Sequence, residues 1–206
     1  MNETATATIE KPNPSQRRNL PPIATGATLE RVSPKLRNSL AAMIERGGFP
    51  LMLVGDPGVG KTMAAGLMYQ QRPIREMAAW FSARTLLREI ALARCGEERL
   101  VGILRQDGTP KRVEHPHAWH QIERADFLVI DDIGTRDLSV AQSEILAEIL
   151  DVRGKRPTVY TCNHDEARLK QFMDHRIVSR LFSGTVVIMA GPDQRALGAR
   201  YFDERR

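Results

Sequence analysis

Leu51-Met-Leu-Val-Gly-Asp-Pro-Gly-Val-Gly-Lys-Thr62 decides the fold. Four apolar residues run into a turn with three glycines, and the helix-forming segment Met63-Ala-Ala-Gly-Leu-Met-Tyr69 follows directly. Strand, glycine-rich turn and helix form the context in which G-x-x-x-x-G-K-[ST] makes a phosphate loop. Gly55, Gly58 and Gly60 permit backbone conformations and a close approach that a side chain would block. Backbone N–H groups can then face phosphate oxygens, aided by the positive end of the helix dipole. Lys61 is the expected partner of the β- and γ-phosphates, and the Thr62 hydroxyl the expected ligand of Mg²⁺. The cofactor-binding set is therefore Gly55, Asp56, Pro57, Gly58, Val59, Gly60, Lys61, Thr62 and Met63, for a nucleoside triphosphate.

A second stretch, Phe127-Leu-Val-Ile-Asp-Asp-Ile-Gly134, reads as a buried parallel strand covered by helices on both faces. Its two carboxylates fall at the C-terminal end, where an open α/β sheet puts its ligands. Asp131 is expected beside the phosphate loop, holding Mg²⁺ directly or through water. Asp132, one residue further out, is placed to orient and polarise an attacking water.

The 206 residues suit one domain, and 42% hydrophobic content is enough for a real core. A net charge of +5 and a pI near 9.6 permit nucleic acid without requiring it. Between Arg153 and Arg206, eleven Lys/Arg face six Asp/Glu, so the excess sits mainly in the last quarter. Cys95 and Cys162 are far apart, lack metal-ligand spacing, and read as free thiols of a reducing cytoplasm. No apolar run is long enough to span a bilayer and the start lacks a secretory core, so no membrane contact is expected.

Residues 1–26 read as a flexible tail, rich in Thr, Asn and Pro, and residues 27–206 as the folded domain. Ser33-Pro34 starts a helix whose apolar face is Leu36, Leu40, Met43 and Ile44, ended by Gly47-Gly48. Glu76–Ser82 is expected as a second strand and Arg84–Arg94 as a helix, with Leu86, Leu87, Ile90 and Leu92 apolar. From Cys95 to Trp119 the pattern weakens under Gly96, Gly102, Gly108, Pro110 and Pro116. Basic residues from Arg99 to Arg112 could face DNA or form a solvated face, and His115, His117 and His120 read as solvated rather than metal-binding. Asp137 or Ser139 is expected to cap a helix to Arg153, burying Ile145, Leu146, Ile149, Leu150 and Val152. Arg156–Asn163 is another strand; Asn163 at its end either caps a turn or reaches the γ-phosphate or water.

The order GDPGVGKT, FLVIDDIG, RPTVYTCN, HRIVSRLFSG, AGPDQR over about residues 28–196 resembles the DnaC/IstB-type branch of the AAA+ ATPases. The resemblance implies an α/β P-loop NTPase, an αβα sandwich on a five-stranded parallel sheet. It makes Gly55–Thr62 Walker A, Asp131 and Asp132 Walker B, and Asn163 sensor 1. Arg180 falls where the family carries its arginine finger, supplied in trans, with Arg176 the neighbouring alternative. A finger's positive charge offsets charge developing on the transferred phosphoryl group. The shorter Asp132, where many AAA+ proteins have Glu, fits slow hydrolysis.

Only 16 residues follow the last apolar strand, Thr185–Ala190, which is too few for the C-terminal helical lid, as in DnaC/IstB-like proteins. The resemblance implies ATP and Mg²⁺ as cofactors and assembly of a homo-oligomer on ATP binding. It implies a cytoplasmic protein of a bacterial or phage-infected cell that loads a replicative hexameric helicase onto single-stranded DNA. The alternative it offers is an IstB-like transposition ATPase that binds duplex DNA and recruits a transposase. A third reading is a P-loop adaptor that holds nucleotide only for structure.

Overall fold

A computed structural model describes residues 47–72, 77–96, 100–104 and 110–193, together with Ala24 and Ala42. Five strands form one parallel sheet in the order β2-β5-β6-β1-β7. They are β1 (Leu51–Val54), β2 (Ala78–Ser82), β5 (Phe127–Ile133), β6 (Thr158–Cys162) and β7 (Thr185–Ile188). The helices are α1 (Lys61–Gln70), α2 (Ala83–Arg94), α3 (His115–Arg124), α4 (Val140–Arg153), α5 (Glu166–Leu169) and α6 (His175–Leu181). This is the expected αβα sandwich.

Alternation along the strands builds two cores. Met52, Val54, Leu128, Ile130, Tyr160 and Cys162 face a cluster completed by residues of α2 to α6. Leu51, Leu53, Phe127, Val129 and Val159 face the other way, against Ala64, Ala65, Met68 and Tyr69 of α1. Central strands buried on both faces read as unbroken apolar runs, which is why β1 and β5 were legible. Ala24 also packs in the α1 core, and its carbonyl accepts from Gln70 Nε2 at 2.8 Å. It falls within the stretch expected as tail, so packing reaches back at least to Ala24. The helix expected from Ser33 and the lid expected to be missing after Ala190 concern residues mostly outside those described.

Three expectations need correction. The weak stretch after Cys95 contains an antiparallel hairpin, β3 (Leu100–Leu104) with β4 (Pro110–Glu114), in the register Gly102↔Arg112. Glycine and proline in such short strands leave little alternation to read. Pro116 opens α3 rather than breaking it, because the first helical turn needs no partner for that nitrogen. Val152, expected in the core, is exposed, while Arg153 beside it is 1% exposed.

Ser139 caps α4 with a reciprocal pair, its Oγ accepting from Gln142 N–H and its own N–H donating to Gln142 Oε1. At the other end of α4, Arg153 turns inward. It donates to Ile122 O (3.0 Å), Ala125 O (2.7 Å), Pro157 O (2.9 Å) and Thr158 Oγ1 (3.0 Å). Burial lowers its pKa to about 10, so it stays charged at neutral pH. The guanidinium satisfies buried carbonyls at the end of α3 and the Pro157 carbonyl that leads into β6. Arg153→Met keeps the stem and removes these donors. Urea unfolding should show a loss of about 3 kcal/mol, the scale of orphaned buried acceptors.

Candidate functional site

The C-terminal ends of β1, β5 and β6 meet at one edge, with Val54 in register with Cys162 and Ser82 with Asp131. Gly55 N–H donates to Cys162 O at 3.3 Å, tying the loop to β6. A Cβ on Gly55 would lie 2.1 Å from the Met189 carbonyl oxygen, so only glycine fits there. Gly58 and Gly60 hold φ of 86° and 99°, conformations natural to glycine. Gly60 is the N-cap of α1 and supplies no side-chain acceptor, and no acidic residue stands in the first turn. The positive end of α1 is therefore uncompensated by its own side chains. Lys61, 5% exposed, curls over the loop and donates to Gly55 O (2.7 Å) and Asp56 O (2.8 Å).

Beside it, Asp131 Oδ1 accepts from Thr161 Oγ1 (2.6 Å) and from Thr62 Oγ1 (3.2 Å). The two predicted Mg²⁺ ligands thus touch each other. Strand β5 continues through both aspartates, but its register with β6 shifts between Ile130 and Ile133. The shift turns Asp132 into the left-handed region at φ 63°, which Asp tolerates better than most residues. Its N–H donates to Thr161 Oγ1 at 2.8 Å, and its side chain is exposed while Asp131 is buried. Thr161 therefore holds both acidic residues. It was missed in the sequence because a threonine in Thr158-Val-Tyr-Thr-Cys162 reads as ordinary strand content. A hydroxyl on the strand that neighbours an acidic strand end was the available signal.

Asn163 follows β6 at the same edge, half-buried. Arg180 and Arg176 lie on α6, both exposed. Arg180 Nη1 pairs with Asp151 Oδ1 at 3.2 Å, and Arg176 N–H donates to the capping Asp174 carboxylate at 2.7 Å. Neither arginine is brought to the loop by a contact of this chain among the described residues.

Burial raises the pKa of Asp131 to about 6, with the Asp132 charge adding to it and the Thr161, Thr62 and Lys61 contacts opposing. The cradle fits a nucleoside triphosphate with Mg²⁺: an uncapped helix start, a lysine within the loop, and a hydroxyl–carboxylate pair of hard oxygen donors.

No family model matches the sequence, and no curated protein matches it. Solved structures do. DnaI is similar at TM-score 0.64 and 19% identity, over 87% of this chain and 99% of that one. The DnaC helicase loader is similar at 0.62 and 19%, over 81% and 98%. Replication initiator DnaA bound to AMPPCP and single-stranded DNA is similar at 0.62 and 15%, over 82% of this chain and 51% of that one. Identities this low carry the fold. The chain shares the fold of DnaI and of the DnaC helicase loader.

Asp131 sets two expectations. Its folded pKa lies above the ordinary 3.8, so its ionisation costs stability as pH rises from about 4 to about 6, by on the order of 3 kcal/mol in all. Only the ionised form holds a cation, so Mg²⁺-dependent nucleotide binding should fall about tenfold per pH unit below about 6. Titrations with and without Mg²⁺ from pH 5 to 8 check this, and Asp131→Asn should remove the Mg²⁺-dependent part throughout. Thr161→Val, equal in shape, should cost about 1–3 kcal/mol in thermal unfolding by stripping a donor from Asp131 and an acceptor from Asp132 N–H.

Proposed function

We propose that this chain is an ATP-binding and ATP-hydrolysing protein of DNA replication that loads a replicative hexameric helicase onto single-stranded DNA. The observation that carries the nucleotide part is the Thr62–Asp131 pair beside a lysine-bearing glycine loop. The replication part rests on the DnaC-like fold and on the replication proteins that share it. Residues Gly55 to Met63 cradle the phosphates, and Lys61 leaves the loop carbonyls to meet them. Thr62 and Asp131 hold Mg²⁺, which when bound offsets negative charge on the phosphates. Asp132, exposed at the mouth, orients the attacking water, and Asn163 hydrogen-bonds the γ-phosphate or that water.

Arg180 completes the site of a neighbouring subunit. Its partner Asp151 is exposed, and an exposed ion pair of this kind contributes about 0–1 kcal/mol, so little holds the arginine at home. Arg176, on the same short helix, is the second candidate. ATP binding then assembles the homo-oligomer, and hydrolysis releases it. The folded domain is 27–206 together with Ala24, which packs against it from the preceding tail, and the protein works in the cytoplasm of a bacterial or phage-infected cell. Among the described residues no helix is long and apolar enough to cross a membrane.

The test is a pull-down of the tagged full chain from host extract with ATP and Mg²⁺, beside Lys61→Ala and Arg180→Ala. Recovery of the replicative helicase by the native chain, lost in Lys61→Ala, supports the loader; recovery of a transposase instead overturns it. Lys61→Ala should weaken ATP binding by at least tenfold. Arg180→Ala should bind ATP normally yet lose assembly-dependent turnover by about 10³-fold or more. Full turnover in that variant moves the finger to Arg176.

A further inference from the structure

Past β7 the chain crosses the phosphate loop. Met189 N–H donates to Val54 O at 2.7 Å, and its carbonyl abuts Gly55, so the departure point is locked to the loop. Four residues later, Asp193 reaches Gly58. A Cβ on Gly58 would lie 1.8 Å from Asp193 Oδ1 and 2.8 Å from Oδ2. With a carbon–carbon bond of about 1.5 Å, Oδ1 is no more than about 3.3 Å from Gly58 Cα. Pro192 narrows the conformations of the short tether between these two points. Asp193 belongs to Ala190-Gly-Pro-Asp-Gln-Arg195, a stretch to which the site described above gives no role.

We propose that Asp193 is a built-in anionic gate, its carboxylate resting on the phosphate loop at Gly58 and competing there with the phosphates of the nucleotide. This rests on the reading of the loop as a nucleotide site. A loop assembled from glycine backbone, a helix start and a lysine favours anions, and the carboxylate is the anion the chain itself supplies. A phosphate chain arriving over Gly58 brings like charge against it, so the segment 190–193 must swing off its anchor at Met189. The gate lowers affinity for every phosphate-bearing ligand alike. It leaves recognition of the nucleoside untouched. It also puts nucleotide entry under the control of whatever holds this segment, because a contact that pulls Asp193 away raises affinity without touching the loop.

The experiment is calorimetric titration of the full chain, native, Asp193→Asn and Asp193→Ala, with ADP, with pyrophosphate and with adenosine, at low and high salt. A like charge removed at this range is worth on the order of tenfold in affinity. Both variants should bind ADP and pyrophosphate about tenfold more tightly at low salt, less so at high salt, with adenosine unchanged. Asparagine keeps the volume, so equal gains in both variants assign the effect to charge. Unchanged or weaker ADP binding in the variants, with the native chain binding normally, overturns the gate and leaves the nucleotide site standing. Failure of native and variant chains alike to bind ADP overturns the nucleotide site itself, and the gate with it. Unfolding temperatures matched to the native chain confirm that the exposed Asp193 side chain was removed without loss of fold.

Discussion

One buried hydroxyl, on Thr161, holds the acidic edge of this sheet together. It donates to the Asp131 carboxylate and accepts from the Asp132 N–H, so a single oxygen sets the position of one acidic side chain and the backbone of the next. The register shift in β5 depends on it, because backbone leaving a ladder needs a new partner for each N–H it frees. The same shift separates the two carboxylates in environment, one buried beside Thr62 and one exposed at the mouth. Two like residues in sequence thereby acquire different chemistry: one suited to holding a cation, one to meeting water.

The opposite edge is held by a charge of the other sign. Arg153 fixes the carbonyls that lead into β5 and β6, so both strands start from a common anchor before they end at Asp131 and Asn163. Position at the ligand edge is thus set twice, by strand register from below and by Thr161 from the side. A shift of one residue in either strand would carry its functional side chain to the other face of the sheet. Buried polar groups with every partner supplied tolerate no such slip, whereas an apolar core alone would resist it only through packing.

What was legible in the sequence was whatever had a short-range signature. The phosphate loop declares itself through glycines at fixed offsets, and β5 through four apolar residues running into carboxylates. A cap for α4 at Asp137 or Ser139 follows from hydrogen-bonding reach within four residues, and the structure selects Ser139. The hairpin β3–β4 was not legible, because its pairing joins residues about ten apart through strands broken by Gly102 and Pro110. Arg153 was missed for the opposite reason. An arginine closing a helix is so ordinary on a surface that only the carbonyls from α3 and the β6 entry, distant in sequence, reveal it as core. Thr161 shares that blindness: its role exists only across the sheet.

Lys61 shows how such a site is kept in shape. Its ammonium donates to two carbonyls of its own loop, Gly55 O and Asp56 O, so the turn is closed by the residue proposed to meet the phosphates. To reach a phosphate it must give up neutral carbonyl acceptors for charged oxygens, and bonds between ions are the stronger. The exchange is therefore favourable although two bonds are lost. Both lysine bonds are only part-buried, so water can take its place on the two carbonyls. Gly55, tied to Cys162 O and closed against the Met189 carbonyl, anchors the start of the loop independently of the lysine.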